Sequence, residues 1–257
     1  MFTIPINVKI GESTIRLAAN FREAGSELLL FIHGLGCSKE AFEAAWDMKA
    51  LEKYSLLAFD LPGFGASPKP EDFSYSLLGQ AEVVAQVIGR VSSYRIHFVA
   101  NSWGPIIGLQ LSAEILGSLA SFVNLEGRMV IEDVGNAKKA AALPFTEFEQ
   151  TFWPEMKQKI SHEPKTAYRL DDALPQAYYN GAKSIVEIAG RGELPQKFIN
   201  LTCPKVYMYG DQNKHLKSLA AIGDTKKVAI SNAGHFMMKD NPEEFYQKLA
   251  EFLVAST

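Results

Sequence analysis

Apolar and polar residues alternate from the start of the chain. Ile4, Ile6, Val8 and Ile10 fall on every second position, and Ser13 to Ala19 repeats the habit after Gly11-Glu12. Period two over such lengths predicts two half-buried strands paired as an antiparallel hairpin at a sheet edge. The pattern then changes to continuous apolar runs, Glu27 to Ile32 and Ser55 to Phe59, which predict strands covered on both faces. Between them Lys39 to Leu51 has helical character. Tyr75 to Val91 places Leu77, Leu78, Ala81, Val84, Ala85 and Ile88 on one face of an amphipathic helix. A further apolar run, Ile96 to Val99, passes through Ala100-Asn101-Ser102-Trp103-Gly104 into an apolar-periodic segment from Pro105 onward, a strand, sharp turn and helix. Leu119 to Leu125 is the next strand. Strands and helices alternating in this way predict an α/β fold, a mainly parallel, doubly wound sheet with helices on both faces.

Past Gly127 the alternation stops. Residues 128–198 are helix-prone and rich in aromatic side chains, with Pro144, Pro154, Pro164, Pro175 and Gly190 breaking them into short helices such as Phe145 to Ile160 and Leu174 to Ile188. The strand–helix pattern resumes at Lys205 to Tyr209, continues through Lys227 to Ile230, and closes with an amphipathic helix, Pro242 to Val254. One α/β core built from residues 1–127 and 199–257, with a helical cap inserted at 128–198, is the expected domain organisation.

Composition narrows the class. In 257 residues, 47% are hydrophobic and 21% charged, enough for one large core. A net charge of −3, with no stripe of Lys or Arg, excludes a nucleic-acid partner. No apolar run reaches about 18 residues, so no membrane span is expected. Met1 to Asn20 alternates where a secretory leader would carry an apolar block. Cys37 and Cys203 lie far apart with no metal spacing and read as reduced thiols, in keeping with a cytoplasmic protein that needs no metal.

The turn at Ala100 to Gly104 carries the chemistry. It has a small residue first, serine third and glycine fifth, matching the G-x-S-x-G nucleophile elbow except that Ala100 replaces the first glycine. A serine on a strained strand-to-helix turn leaves no space for large side chains two positions away, and alanine still satisfies that demand. Pro105 suits the first helical turn, where its missing N–H is not needed.

Three more motifs fall in order around it. His33-Gly34 follows one buried strand, Asp60-Leu61-Pro62-Gly63-Phe64-Gly65-Ala66-Ser67 follows the next, and Gly234-His235-Phe236 lies near the C-terminus. Together with the elbow they resemble the α/β-hydrolase fold superfamily, including its esterases, proline-iminopeptidase-like enzymes and haloalkane dehalogenases, and the resemblance covers almost the whole chain. It implies Ser102 as nucleophile and His235 as general base, with the backbone N–H groups of Leu35 and Trp103 as an oxyanion hole. It assigns His33 a structural part in the His-Gly turn, and it implies no cofactor. Because Ser102 stands where the dehalogenases carry aspartate, acyl transfer to water is expected rather than alkyl-enzyme chemistry.

The acid departs from the superfamily's common pattern. The usual aspartate position, three residues after Gly210, holds Asn213. Asp211 follows the glycine directly, where a two-residue shift in a tight loop points it elsewhere. Glu126 ends the apolar run after the elbow helix, a place where haloalkane dehalogenases carry their acid. Glu126 is the favoured partner of His235, with Asp211 the alternative and Asn213 also open. Trp103, Phe236, Phe148 and Trp153 are the candidate pocket residues, while most aromatics at helical spacing in the insertion are expected to pack the cap. The reading is a serine hydrolase acting on a small to medium ester. Alternatives are a peptidase, thioesterase or carbon–carbon hydrolase with the same parts, or a small-molecule receptor of the same fold with little turnover.

Overall fold

The computed structural model describes residues 2–163 and 166–256. Eight strands form one sheet in the order β1-β2-β4-β3-β5-β6-β7-β8: β1 Phe2–Ile10, β2 Ser13–Arg22, β3 Glu27–Ile32, β4 Ser55–Phe59, β5 Arg95–Asn101, β6 Ser121–Leu125, β7 Lys205–Gly210 and β8 Lys227–Ile230. β1 and β2 are antiparallel, β2 joins β4 antiparallel, and every pair from β4 to β8 is parallel. The predicted hairpin is therefore present and longer than its alternation suggested. Asn20 to Arg22 extend β2 and pair with Ala58 to Leu56 of β4, a partner that local periodicity does not reveal.

The apolar runs behave as strands covered on both sides. Leu28 to Ile32 are fully buried, with Leu28, Leu30 and Ile32 in the core on one face and Leu29 and Phe31 in the core on the other. Each such side chain contributes about 1.5–3 kcal/mol through removal of apolar surface from water. The helix Leu77–Arg90 covers the first face, and Pro242–Val254 the second.

Two helical expectations shift. Lys39 to Leu51 forms two 3-10 segments, Lys39–Trp46 and Lys49–Leu51, with a non-helical break at Phe42. The helix after the elbow is short, Gly104–Gly108. A second begins at Ala113 under Ser112, whose side chain accepts from the Ile115 N–H, so a local N-cap ended what periodicity read as one segment.

Between β6 and β7 the chain leaves the sheet for helices, among them Gly135–Ala141, Trp153–Ser161, Pro175–Gly190 and Leu194–Ile199. Pro175–Gly190 lies directly over the elbow. A Cβ on Gly181 would stand 2.7 Å from the Trp103 ring and 2.8 Å from Leu35 Cδ1, so only glycine lets this helix come so close.

Strand order reverses at β3, which leads to β4 on one side and to β5 on the other after the next crossover. The loops leaving β3 and β5 diverge and open a crevice at their carboxyl ends, where open α/β sheets bind ligands. Ile32 pairs with Ala100, and Asn101 with Leu125, so His33, Ser102 and Glu126 emerge at one level of the sheet.

The steric demand at the elbow is visible. A Cβ on Gly104 would lie 3.0 Å from the Ile32 carbonyl oxygen and 3.1 Å from Ala100 Cβ. One methyl at this crossing fits and a second crowds it. Gly104→Ala is accordingly expected to destabilise the chain by about 1–3 kcal/mol in urea unfolding. Adding Ala100→Gly should recover part of that loss, giving a measurable coupling energy in a double-mutant cycle.

Candidate active site

Ser102 follows the last residue of β5 with φ of +62°, in the left-handed region that a side-chain-bearing residue seldom occupies. Its N–H donates to the Leu125 carbonyl at 2.9 Å, which ties the strained turn to the neighbouring strand. The turn projects the serine into the crevice. There it lines a cavity of about 280 Å³ with His235, Leu35, Trp103, Arg128 and Tyr178.

His33 and Trp103 hold the opposite wall. The Leu61 N–H donates to His33 Nε2 at 3.0 Å, so the proton sits on Nδ1, which donates to the Gly34 carbonyl at 2.8 Å. Burial pushes the His33 pKa down, although nearby Asp60 opposes it, and keeps the ring neutral. The Trp103 indole N–H donates to the His33 carbonyl at 3.0 Å and joins the His-Gly turn to the elbow. Among the described residues, neither the Leu35 backbone N–H nor the Trp103 backbone N–H donates to a protein acceptor.

His235 lies between β8 and the short helix Met237–Asp240. Its loop is fastened from several sides. Ala233 N–H donates to Asp211 Oδ1 at 3.2 Å, Gly234 N–H to Asp240 Oδ2 at 2.8 Å, and Asn101 Nδ2 to the His235 carbonyl at 3.4 Å.

The structure brings Glu126 to this histidine. Nδ1 of His235 donates to Glu126 Oε2 at 2.8 Å, which leaves Nε2 as the free acceptor nitrogen of the ring. Glu126 itself has φ of +50° and is fully buried. Its carboxylate also receives the Gly210 N–H at 2.9 Å and the Asn213 side-chain amide at 3.0 Å to both oxygens. Arg128 Nη2 stands 3.3 Å from Oε2. Burial works to raise the Glu126 pKa, but the bond and charge of His235, the Arg128 charge and the Asn213 amide outweigh it and hold the carboxyl below its ordinary value.

The alternatives fall elsewhere. Asp211 points to the Ala233 amide and steadies the histidine loop instead of touching the ring. Asn213 serves as a donor to Glu126, a part that an aspartate there would turn into repulsion between two carboxylates.

Of the expected pocket residues, Trp103 lines the cavity with Ser102, and Phe236 lines an adjoining space of about 530 Å³ that His235 and Tyr168 share. Phe148 and Trp153 do not line either. They pack in an aromatic cluster with Phe145, Phe152, Tyr178 and Tyr179, so helical spacing there reported packing of the insertion on itself. A larger groove, about 1000 Å³ and lined in part by Lys157, Asp171 and Lys239, includes neither Ser102 nor His235.

The sequence reading does not single out Arg128, Tyr168 or Tyr178, the two tyrosines standing in it only among the aromatic residues of the insertion. A cation two residues beyond a buried strand's terminal carboxylate is a weak local signal, and nothing in the pattern shows that the tyrosines of the insertion face the elbow.

Residues 29–248 match the model of the alpha/beta hydrolase family. The chain belongs to that family. Probable lysophospholipase BODYGUARD 4 of Arabidopsis thaliana is 38% identical to this hydrolase over 93 residues, 35% of this chain and 22% of the relative, so the chain matches about a fifth of that relative's length. The 2-(acetamidomethylene)succinate hydrolase of Mesorhizobium japonicum is 23% identical over 261 residues, covering 93% of each chain. Among solved structures, a thermophilic esterase from Thermogutta terrifontis superposes with a TM-score of 0.77 at 18% identity, over 100% of this chain and 99% of that one. A mutant of the N-acyl homoserine lactonase AidH, complexed with N-hexanoyl homoserine lactone, gives 0.76 at 22% identity, again over 100% and 99%. At these identities the structural likeness speaks for the fold. Among the described residues, no helix of the hydrolase is long and apolar enough to cross a membrane.

Two measurements probe the carboxylate at the centre. Because the folded chain holds Glu126 below a glutamate's ordinary value of about 4.5, the unfolded chain binds more protons below that pH, so the stability Glu126 contributes is present above it and lost as pH falls through the folded pKa. Glu126→Gln should therefore show a shallower loss of urea stability on acidification below pH of about 4.5 than the unmodified chain. Asn213→Asp should lower the unfolding midpoint at neutral pH and regain part of it as the medium is acidified and one carboxylate of the pair protonates.

Proposed function

We propose that this member of the family is a serine hydrolase of small carboxylic esters. The observation that carries the reading is the buried Glu126 carboxylate 2.8 Å from His235 Nδ1, beside a serine held at φ of +62° in the same cavity. Ser102 Oγ attacks the ester carbonyl while His235 Nε2 takes its proton. Glu126 holds the ring in the Nδ1–H tautomer and stabilises the imidazolium that forms. The carbonyl oxygen becomes an oxyanion received by the unengaged backbone N–H groups of Leu35 and Trp103. Collapse of that intermediate expels the alcohol, protonated by His235. Water then loses a proton to His235 as it attacks the acyl-enzyme, and release of the acid restores Ser102.

Residues 128–198 act in this reading as a lid. Pro175–Gly190 closes over Trp103 and Leu35 and excludes bulk water from the acyl-enzyme. A cavity of about 280 Å³ lies at the lower end of the range for small-molecule sites and favours a compact substrate. The chemistry calls on no cofactor.

Fluorophosphonate labelling and turnover of a short-chain aryl ester test the assignment. The unmodified chain should label and turn over, and Ser102→Ala should do neither. Glu126→Gln should lower kcat by about 10³–10⁴-fold, the scale on which a triad carboxylate acts, with Asp211→Asn much less affected. Loss of turnover in Asp211→Asn with Glu126→Gln unchanged would overturn the role of Glu126. An unmodified chain that never labels would instead point to a receptor built on this fold.

A further inference from the structure

Arg128 is the one arginine or lysine among the residues lining the Ser102 cavity, and its position is unusual. Its Nη2 faces Glu126 Oε2 at 3.3 Å and stands 3.2 Å from His235 Nδ1. Nδ1 already gives its proton to Glu126, so no bond links the two nitrogens. The guanidinium thus meets the carboxylate through a single nitrogen, at a long distance, where a fork of donors could have made a bidentate pair. Among the described residues Nη1 and Nε have no acceptor, and the side chain is 20% exposed.

A second group on the cavity lining is also unengaged. Tyr178 is 2% exposed and lines the cavity, yet its hydroxyl has no hydrogen-bond partner among the described residues. Burial pushes its pKa well above a tyrosine's ordinary value, with Tyr168 and Cys37 adding to the effect, so the group stays a neutral O–H. A ligand oxygen in the cavity would supply the acceptor that this hydroxyl lacks within the protein. Asp133, the carboxylate on the lining, is already occupied: its oxygens accept the Lys217 and Ser218 amides and the Ser218 hydroxyl. The cavity therefore offers a partly engaged guanidinium and a free phenol to whatever sits over Ser102.

We propose that the preferred substrate is a small ester whose acyl part ends in a carboxylate, received by Arg128 and the Tyr178 hydroxyl while its carbonyl lies at Ser102. This deepens the ester hydrolase reading and rests on it. The guanidinium supplies a charge-assisted, planar donor set matched to a carboxylate, and the phenol supplies one further donor. A neutral acyl chain of the same length would leave both groups unsatisfied in a confined site.

Isosteric pairs isolate the charge: monoethyl succinate against ethyl butyrate, and monoethyl glutarate against ethyl pentanoate, followed by proton release. The unmodified chain should favour the anionic member of at least one pair by about 10- to 100-fold in kcat/KM, the scale of hydrogen bonds to a charged group. Arg128→Gln should erase that ratio, whatever it does to the neutral rate, and Arg128→Lys should keep part of it. Tyr178→Phe should reduce the ratio less than Arg128→Gln. A preference for the neutral esters, or a ratio that survives Arg128→Gln, overturns the proposal.

Titration calorimetry on Ser102→Ala with monoethyl succinate and ethyl butyrate separates this from the hydrolase reading, because it needs no turnover. Tighter binding of the anion, weakened by Arg128→Gln in the same background, supports the carboxylate subsite even if labelling at Ser102 fails. Binding without charge preference overturns it even if Ser102 labels.

Discussion

An ionised carboxylate with no exposure to water is costly unless donors surround it, and much of this site follows from how the chain meets that demand at Glu126. The Gly210 amide comes from the end of β7, the Asn213 amide from the turn after it, the imidazole from the loop beyond β8, and the guanidinium from two residues along the chain. The end of β7 with the turn after it and the loop of His235 must both be in register with the end of β6 for the charge to be tolerated. The same convergence fixes where His235 points, since the shortest of these bonds goes to its Nδ1.

Asparagine at position 213 acquires a physical reason from this arrangement. Its amide stands 3.0 Å from both Glu126 oxygens, and only a donor is acceptable there. The carboxylate that reaches His235 stands at the end of β6, and Asn213 after β7 supports it. Leu125 pairs with Met208, and the Glu126 N–H donates to the Met208 carbonyl at 3.0 Å, so the two strand ends are close enough for either to reach the ring. Which end carries the charge is then a matter of side-chain length and of what the other end donates.

The second wall of the crevice depends on a different constraint, close backbone approach. Strand reversal at β3 opens the space, Gly104 lets the elbow helix cross β3, and Gly181 lets the helix Pro175–Gly190 settle on Trp103 and Leu35. The roof above Ser102 is consequently near and aromatic, and the polar groups in it stand out. Arg128 and Tyr178 bring to the cavity side-chain donors that, among the described residues, the protein does not fully engage.

Local pattern determined a good deal. Period-two alternation and unbroken apolar runs located the strands of the sheet, since alternation and double-sided burial are properties of a segment and its immediate neighbours. The elbow at Ser102 and the loop at His235 were legible for the same reason, because a strained turn needs particular small residues beside it. What only the tertiary structure decided were relations between distant segments: β2 lengthening to pair with β4, Asp211 serving the Ala233 amide while Glu126 reaches His235, Phe148 and Trp153 packing behind Tyr178, and Arg128 facing the cavity. A hydrogen bond or a cavity wall is made by residues that folding brings together, and neither the length nor the direction of that approach is written in the order of side chains around any one of them.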